Sequence, residues 1–241
     1  MRALTTEGVK MLKIWQSAGK SYAYILGVYL GDGCVVIRSP KNVNFQLGTI
    51  DKDFADKTAN ALLELTGITP TNKEFKVKKS KKPVNFVRCA CAELGFHLKK
   101  VTKNKSIIPK FVKSWDDELK KAFVSGLMDS EGWVAEDRRL ATARRFFMGF
   151  GCCDTWFDDF KIIVESLGIQ TGKERQEQTK GGKTMRRFNI KMQSWIDSGC
   201  YFNIARKQDR VNAFANHEPY STRSRYPRRL SPETICRSCT A

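Results

Sequence analysis

Two carboxylates in this chain occupy matching surroundings 99 residues apart. Asp32 closes the stretch Tyr24-Ile-Leu-Gly-Val-Tyr-Leu-Gly-Asp-Gly33, and Glu131 closes Phe123-Val-Ser-Gly-Leu-Met-Asp-Ser-Glu-Gly132. Each stretch is an apolar run with a small residue at every fourth position, then the acid, then glycine. The small residues are Gly27 and Gly31 in the first copy, Gly126 and Ser130 in the second. Such a run reads as a short buried helix. Glycine inside a helix costs about 1 kcal/mol relative to alanine, so the pattern needs a reason, and close approach of two backbones supplies it. Gly33 and Gly132 suit the left-handed position just past a helix end. The acids then sit at helix C-termini, where the macrodipole is already negative. Two such helices side by side bring two carboxylates together, which is costly unless a cation joins them. Hard oxygen donors of this kind favour magnesium.

These residues resemble the LAGLIDADG motif of homing endonucleases, with Asp32 and Glu131 at its metal-binding acid position. The resemblance implies a metal-dependent DNA endonuclease that makes a double-strand break in a long target. Gly31 and Ser130, beside the acids, would complete the metal's surroundings. Magnesium is the implied cofactor, with manganese able to substitute and calcium supporting binding without efficient cleavage. The resemblance further implies a lysine near the end of each unit's last helix, and Lys105 and Lys207 hold those places, with Lys103 close to the first. It also implies a polar residue at the end of each second strand; Thr49 and Cys152 stand there, and cysteine departs from the pattern. Pro109 and Phe111 ahead of the second motif are similar to intein-type and archaeal members, while no protein-splicing residues are evident.

The elements that must position these groups also recur. Residues 5–20 read as a helix capped near Thr5 or Thr6. Strands follow at 33–38 and 42–49, the second with Val43, Phe45 and Leu47 on one face and Asn42, Asn44 and Gln46 on the other. Asp51 is the expected N-cap of a helix ended by Gly67. Strands over 73–79 and 84–91 come next, with Phe75 and Val77 expected inward, then a helix over 92–103. The second motif is followed by strands at 132–140 and 144–151, a helix capped by Asp154 and ended by Gly168, a hairpin over 171–194, and one helix from 195 to 214. The offset between copies is 99 residues for Asp32 and Glu131, 103 for Asp51 and Asp154, and 101 for Gly67 and Gly168. The fold class is therefore α/β of the α+β type: two tandem pseudo-symmetric αββαββα units, each a four-stranded antiparallel sheet forming half of a DNA-binding saddle. The expected divisions are an N-terminal segment at 1–9, units at 10–115 and 116–215, and a basic tail at 216–241 that reads as a disordered or DNA-touching arm.

Composition narrows the partner. The 241 residues carry a formal charge of +18, and the pI is about 9.7. That points to a polyanion, nucleic acid before an acidic membrane surface. No apolar run reaches the roughly 18 residues of a membrane span, and residues 1–20 lack the apolar core of a signal peptide. A cytoplasmic or organellar nucleoid location, not secretion, follows as an expectation. The eight cysteines read as reduced thiols, and Cys236 with Cys239 is only half of a zinc site. With His97 and His217 the only histidines, a histidine-based nuclease is hard to assemble.

The polar sheet faces supply the candidate DNA contacts. In the first unit these are Val36 and Arg38, then Asn42, Asn44 and Gln46, then Lys76, Lys78 and Arg88. In the second they are Trp133 and Arg139, Arg145 and Phe147, Arg175, and Arg187, Asn189 and Lys191. Side chains of these types on a β surface can read base edges in a major groove. Double-stranded DNA is the expected partner of a monomeric chain, with its own intron RNA a second candidate. The rivals on the same scaffold are an RNA-splicing maturase and a non-cutting DNA-binding regulator.

Overall fold

The computed structural model describes residues 19–76, 82–137, 145–179 and 181–216. Residues 5–18 of the helix expected over 5–20 and the basic tail from 217 on lie outside these residues, while Gly19 and Lys20 already belong to the first motif helix. The first unit runs α1 (Gly19–Leu30), β1 (Cys34–Ser39), β2 (Asn42–Thr49), α2 (Lys52–Thr66), β3 (Thr71–Phe75), β4 (Val84–Cys89) and α3 (Ala92–Val101). A 3-10 turn at Lys110–Ser114 leads to the second: α4 (Asp117–Glu131), β5 (Gly132–Asp137), β6 (Arg145–Cys152), α5 (Phe157–Ser166), β7 (Arg175–Gln178), β8 (Thr184–Ile190), α6 (Met192–Asp197) and α7 (Ala205–Ala215). The two sheets are antiparallel, with strand orders β1-β2-β4-β3 and β5-β6-β8-β7, so one topology occurs twice.

The units meet along α1 and α4, the two motif helices. From Tyr22 to Leu30 every residue of α1 is buried, because α4 packs along one side and α2 of its own unit against another. The glycines permit that contact. A Cβ on Gly27 would meet the Phe123 carbonyl oxygen and lie 2.9 Å from Leu127 N; one on Gly126 would meet the Tyr24 carbonyl oxygen and lie 3.1 Å from Val28 N. All four obstacles are main-chain atoms, so the helices touch backbone to backbone. Gly31 opposes the Ser130 side chain in the same way one turn on.

Several expectations need correction. Gly33 and Gly132 are not left-handed: Gly132 has φ −78°, and Gly33 is absent from the positive-φ glycines. Their requirement is room, since a Cβ on Gly33 would meet Val28 O at 2.9 Å and one on Gly132 would press on the Met128 carbonyl and lie 2.8 Å from Met128 Cε. Gly67 does adopt φ 68° and ends α2. The single helix expected over 195–214 is two, because Gly199 takes φ 73° and turns the chain between α6 and α7. Asp51 precedes α2 without capping it through its side chain, and Asp154 lies three residues before α5, its backbone carbonyl accepting from Phe157 N.

Strand β3 is shorter, earlier and inverted relative to expectation. Phe75 pairs with Val84, Lys73 with Phe86 and Thr71 with Arg88, all on the open face of the sheet. Under this edge strand lies polar helix surface: Asn72 Nδ2 donates to Asp56 Oδ1 at 2.8 Å. Phe75 therefore points outward, 50% exposed, with its ring edge-on to Phe86. The core of the second unit is aromatic, with Phe150 in the midst of Trp156, Phe157, Phe160 and Phe188.

Candidate metal and nucleic-acid site

The packing of α1 against α4 fixes where the acids go. Asp32 lies two residues past the end of α1, and Glu131 is the last residue of α4. Asp32 is exposed and Glu131 half-buried, and desolvation by the protein around them is the main cause that raises both carboxyls above their ordinary values. Glu131 is pushed up to about 7, with the neighbouring charges of Asp32 and Asp154 adding to burial. Asp32 is opposed by the positive charges of Lys207 and Lys105. Two carboxylates held this close with their charge incompletely compensated fit a hard divalent cation. Among the described residues no group of three or more His, Cys, Asp or Glu could hold a metal by itself. An ion held by this pair alone would take its remaining ligands from water and phosphate oxygen, as magnesium commonly does.

Each motif helix has its C-terminal carbonyls held by a lysine of its own unit. Lys105 Nζ donates to Gly31 O at 2.6 Å, so the Gly31 carbonyl offered for the metal already has a cationic partner. Lys207 Nζ donates to Met128 O at 2.9 Å and Asp129 O at 2.6 Å. Positive charge at these ends offsets the helix dipole that the acids oppose. Lys207 is buried, and burial lowers its ammonium to about 8, with Asp129 pulling the other way. Lys105 is lowered by burial as well. The loop that delivers Lys105 is unusual: Lys103, Asn104 and Lys105 have φ of 47°, 57° and 68°, three left-handed non-glycine residues in a row. Thr102 Oγ1 accepts from Lys105 N at 3.0 Å, and Trp156 Nε1 from the other unit donates to Lys105 O at 3.0 Å, which holds the loop in place. Ser130 hydrogen-bonds its own helix at Gly126 O.

Sequence reasoning missed three acids around this centre. Asp51 and Asp154 lie beyond the ends of β2 and β6, where Thr49 and Cys152 were expected to act. Asp51 raises Asp32 and Asp154 raises Glu131, whereas Thr49 Oγ1 accepts from Asp51 N and Cys152 is buried with its thiol pushed up to about 12. The signal was available in the repeat, since each acid follows its motif acid at a similar interval. The two are not equivalent. Asp51 accepts Arg206 Nε at 2.6 Å and Nη2 at 2.8 Å, which holds its carboxyl below the ordinary range; Asp154 is raised by burial. The third is Asp129, 2% exposed, which accepts Tyr24 OH at 3.0 Å and Asn203 N and Nδ2 at 3.0 and 2.8 Å. It joins the two units and is pushed up to about 6, first by burial. Arg206 and Ala205 N, which donates to Asp53, dock the start of α7 on the first unit. His97 is a core residue paired with Tyr22 OH at 2.7 Å and lowered to about 4 by burial.

The open faces of the sheets flank this centre. Val36, Asn44, Gln46 and Arg88 share the face in the first unit, with Arg38 and Asn42 exposed at its end. Asn44 is 1% exposed and accepts Arg88 Nε at 2.9 Å, so it orients Arg88 and is not itself open to a partner. Lys76 follows the end of β3, off the strand, and Lys78 lies outside the described residues. The residues of β3 that do face outward are Thr71, Lys73 and Phe75. In the second unit Trp133, Arg145, Phe147, Arg175, Arg187 and Asn189 share the open face. Arg187 is paired with Glu177, and Lys191 sits at the start of α6 with Nζ on Gln170 Oε1 at 3.1 Å. Arg139 lies outside the described residues. Trp133 lies across Gly149, whose absent Cβ leaves room for the indole.

Comparison with known proteins is consistent with this geometry. Residues 20–105 match the LAGLIDADG-like domain. An uncharacterized protein of Methanocaldococcus jannaschii is 28% identical over 130 residues, 51% of this chain, and the match spans 42% of the length of that relative. Mesophilic variants of the homing endonuclease I-DmoI share the fold, with a TM-score of 0.51, 13% identity and coverage of 75% of this chain and 88% of theirs. The homing endonuclease I-WcaI bound to its DNA recognition sequence aligns at TM-score 0.50 and 13% identity, over 86% and 88%. Full-length DUF199/WhiA from Thermatoga maritima aligns at TM-score 0.50 and 14% identity, over 84% of this chain and 63% of that one.

Proposed function

With a LAGLIDADG-like domain in its first half and the tandem two-unit fold of that family's endonucleases, we propose that this chain is a site-specific endonuclease. It acts as a single chain on double-stranded DNA and hydrolyses one phosphodiester bond in each strand. The observation that carries this reading is the meeting of Asp32 and Glu131 at the ends of two helices in backbone contact, with Glu131 raised to about 7. Such a pair stabilises the protein poorly and serves a cation well. Asp32 and Glu131 would hold magnesium or manganese, which when bound supplies charge neutralisation at phosphate and a more acidic water. Gly31 and Ser130 set the closeness of the two helix ends. Lys207 is a positioning residue, since its ammonium is buried against Met128 O and Asp129 O. Lys105, half-buried beside the acids, keeps Gly31 in place and puts a positive charge near the attacked phosphate. The open sheet faces bind the duplex on either side, and the net charge of +18 strengthens that binding.

A non-cutting regulator on the same scaffold has no need of two acids at the helix ends. The test is to incubate the full chain with magnesium and a plasmid library carrying randomised inserts, then capture and sequence linearised products. Recovery of one related set of cut sites, lost when magnesium is chelated, supports the proposal. Tight selection of sites without linearisation overturns it in favour of the regulator.

A further inference from the structure

The two sheet faces differ at one repeated place. The glycine one residue before the end of the second strand is Gly48 in the first unit and Gly151 in the second. Its cross-strand partner on the open face is Phe86 in the first unit and Arg187 in the second. Next to Phe86 stands Phe75, half exposed, with ring centroids 6.3 Å apart. Val84, the cross-strand partner of Phe75, lies beside them. Gly48 leaves a recess among these side chains. A methyl group placed on it would lie 3.8 Å from Val84 Cγ1 and 4.0 Å from Phe86 Cδ2, ordinary contact distances with nothing nearer. Glycine within a strand often marks such an approach by another molecule. The recess is apolar, has room for a methyl group and is flanked by Lys73 and Arg88 on the same face.

We infer that this recess reads thymine through its C5 methyl group in the major groove. The inference rests on the duplex-binding reading above. Thymine is the base that presents a methyl in that groove, and apolar side chains recognise it by contact. Lys73 and Arg88 supply the phosphate attraction that an apolar patch lacks. In the second unit Arg187 stands at the corresponding place, so the two half-sites are read there by different chemistry.

The test uses the full chain and does not require cleavage. A duplex bound in calcium is selected from a random pool, and each thymine in it is replaced in turn by deoxyuridine, which removes only the methyl. Affinity is measured by fluorescence anisotropy. A buried methyl is worth about fourfold in affinity. We expect a loss of about that size at a small cluster of thymines confined to one half-site. Phe75→Ser, at a half-exposed site that leaves the core intact, and Phe86→Gln should bind the thymine and deoxyuridine duplexes equally. A defined binding site at which deoxyuridine is silent overturns the inference and leaves the duplex-binding reading standing. Methyl sensitivity that survives in both variants also overturns it. Failure to select any duplex removes both.

Discussion

Replacing Gly27 or Gly126 by alanine tests the helix contact on which the proposed metal site depends. In either helix a Cβ would press on a main-chain carbonyl oxygen of the other, with a backbone nitrogen at 2.9 Å for Gly27 and 3.1 Å for Gly126. Backbone cannot rotate away as a side chain can, so the helices must part. Overpacking of this kind costs about 1–3 kcal/mol, and an unyielding backbone puts it at the upper end. Alanine's better helix propensity returns about 1 kcal/mol. The net is a loss of about 2 kcal/mol, which for a chain of this size lowers the melting temperature by about 4–8 °C. Each variant should show that drop in thermal unfolding followed by circular dichroism, in metal-free buffer. Because the acids ride on the helix ends, activity in magnesium should fall further than duplex affinity does. A melting temperature within 1 °C of wild type for both variants would refute the backbone contact.

Three further outcomes are expected. Glu131 titrates near 7 in the folded chain against 4.5 ordinarily, so between those values the native state keeps a proton the unfolded chain has lost, and stability falls as pH rises through that window; Glu131→Gln should gain on wild type in metal-free melting temperature from pH 5 to pH 8 and show no advantage at pH 4. A double-mutant cycle on Asp51 and Arg206 should give a coupling on the order of 1 kcal/mol, modest because the Arg206 side chain is 51% exposed, and the coupling should fade as acid protonates Asp51; a zero coupling at pH 7 would mean that this pair does not dock α7. Duplex affinity should fall with salt at a log-log slope of several units, and a flat dependence would show that the basic faces do not meet phosphate.

The parts of this molecule that were legible in the sequence are those where one physical demand sets the residue type. Gly27 and Gly126 recur because only glycine lets two helix backbones touch, and the period-two pattern of Val43, Phe45 and Leu47 is that of a strand over a core. Phe75 misled, because alternation shows that two faces exist and not which is covered; the cover under β3 is the polar Asp56 side of α2. Asn44 looked like a groove-reading amide, and only the folded structure brings Arg88, the cross-strand partner of Gln46, onto its side chain. Asp51 and Asp154 resembled helix caps because aspartate before a helix is usually one, whereas their proximity to the acids comes from long-range folding. The break between α6 and α7 was written in Gly199, but glycine in a helical pattern is tolerated often enough to be passed over.

The central claim is that Asp32 and Glu131 form a cation site that cuts DNA and is separable from the surfaces that bind it. The most direct measurement compares wild type with Glu131→Gln on one selected duplex, recording affinity in calcium and cleavage in magnesium under the same conditions. The account predicts affinity within about threefold of wild type, since the sheet faces bind the phosphates, and cleavage reduced by at least the roughly 10–100-fold that loss of a partner behind a metal ligand costs. Cleavage of both strands at the wild-type rate by that variant would contradict it.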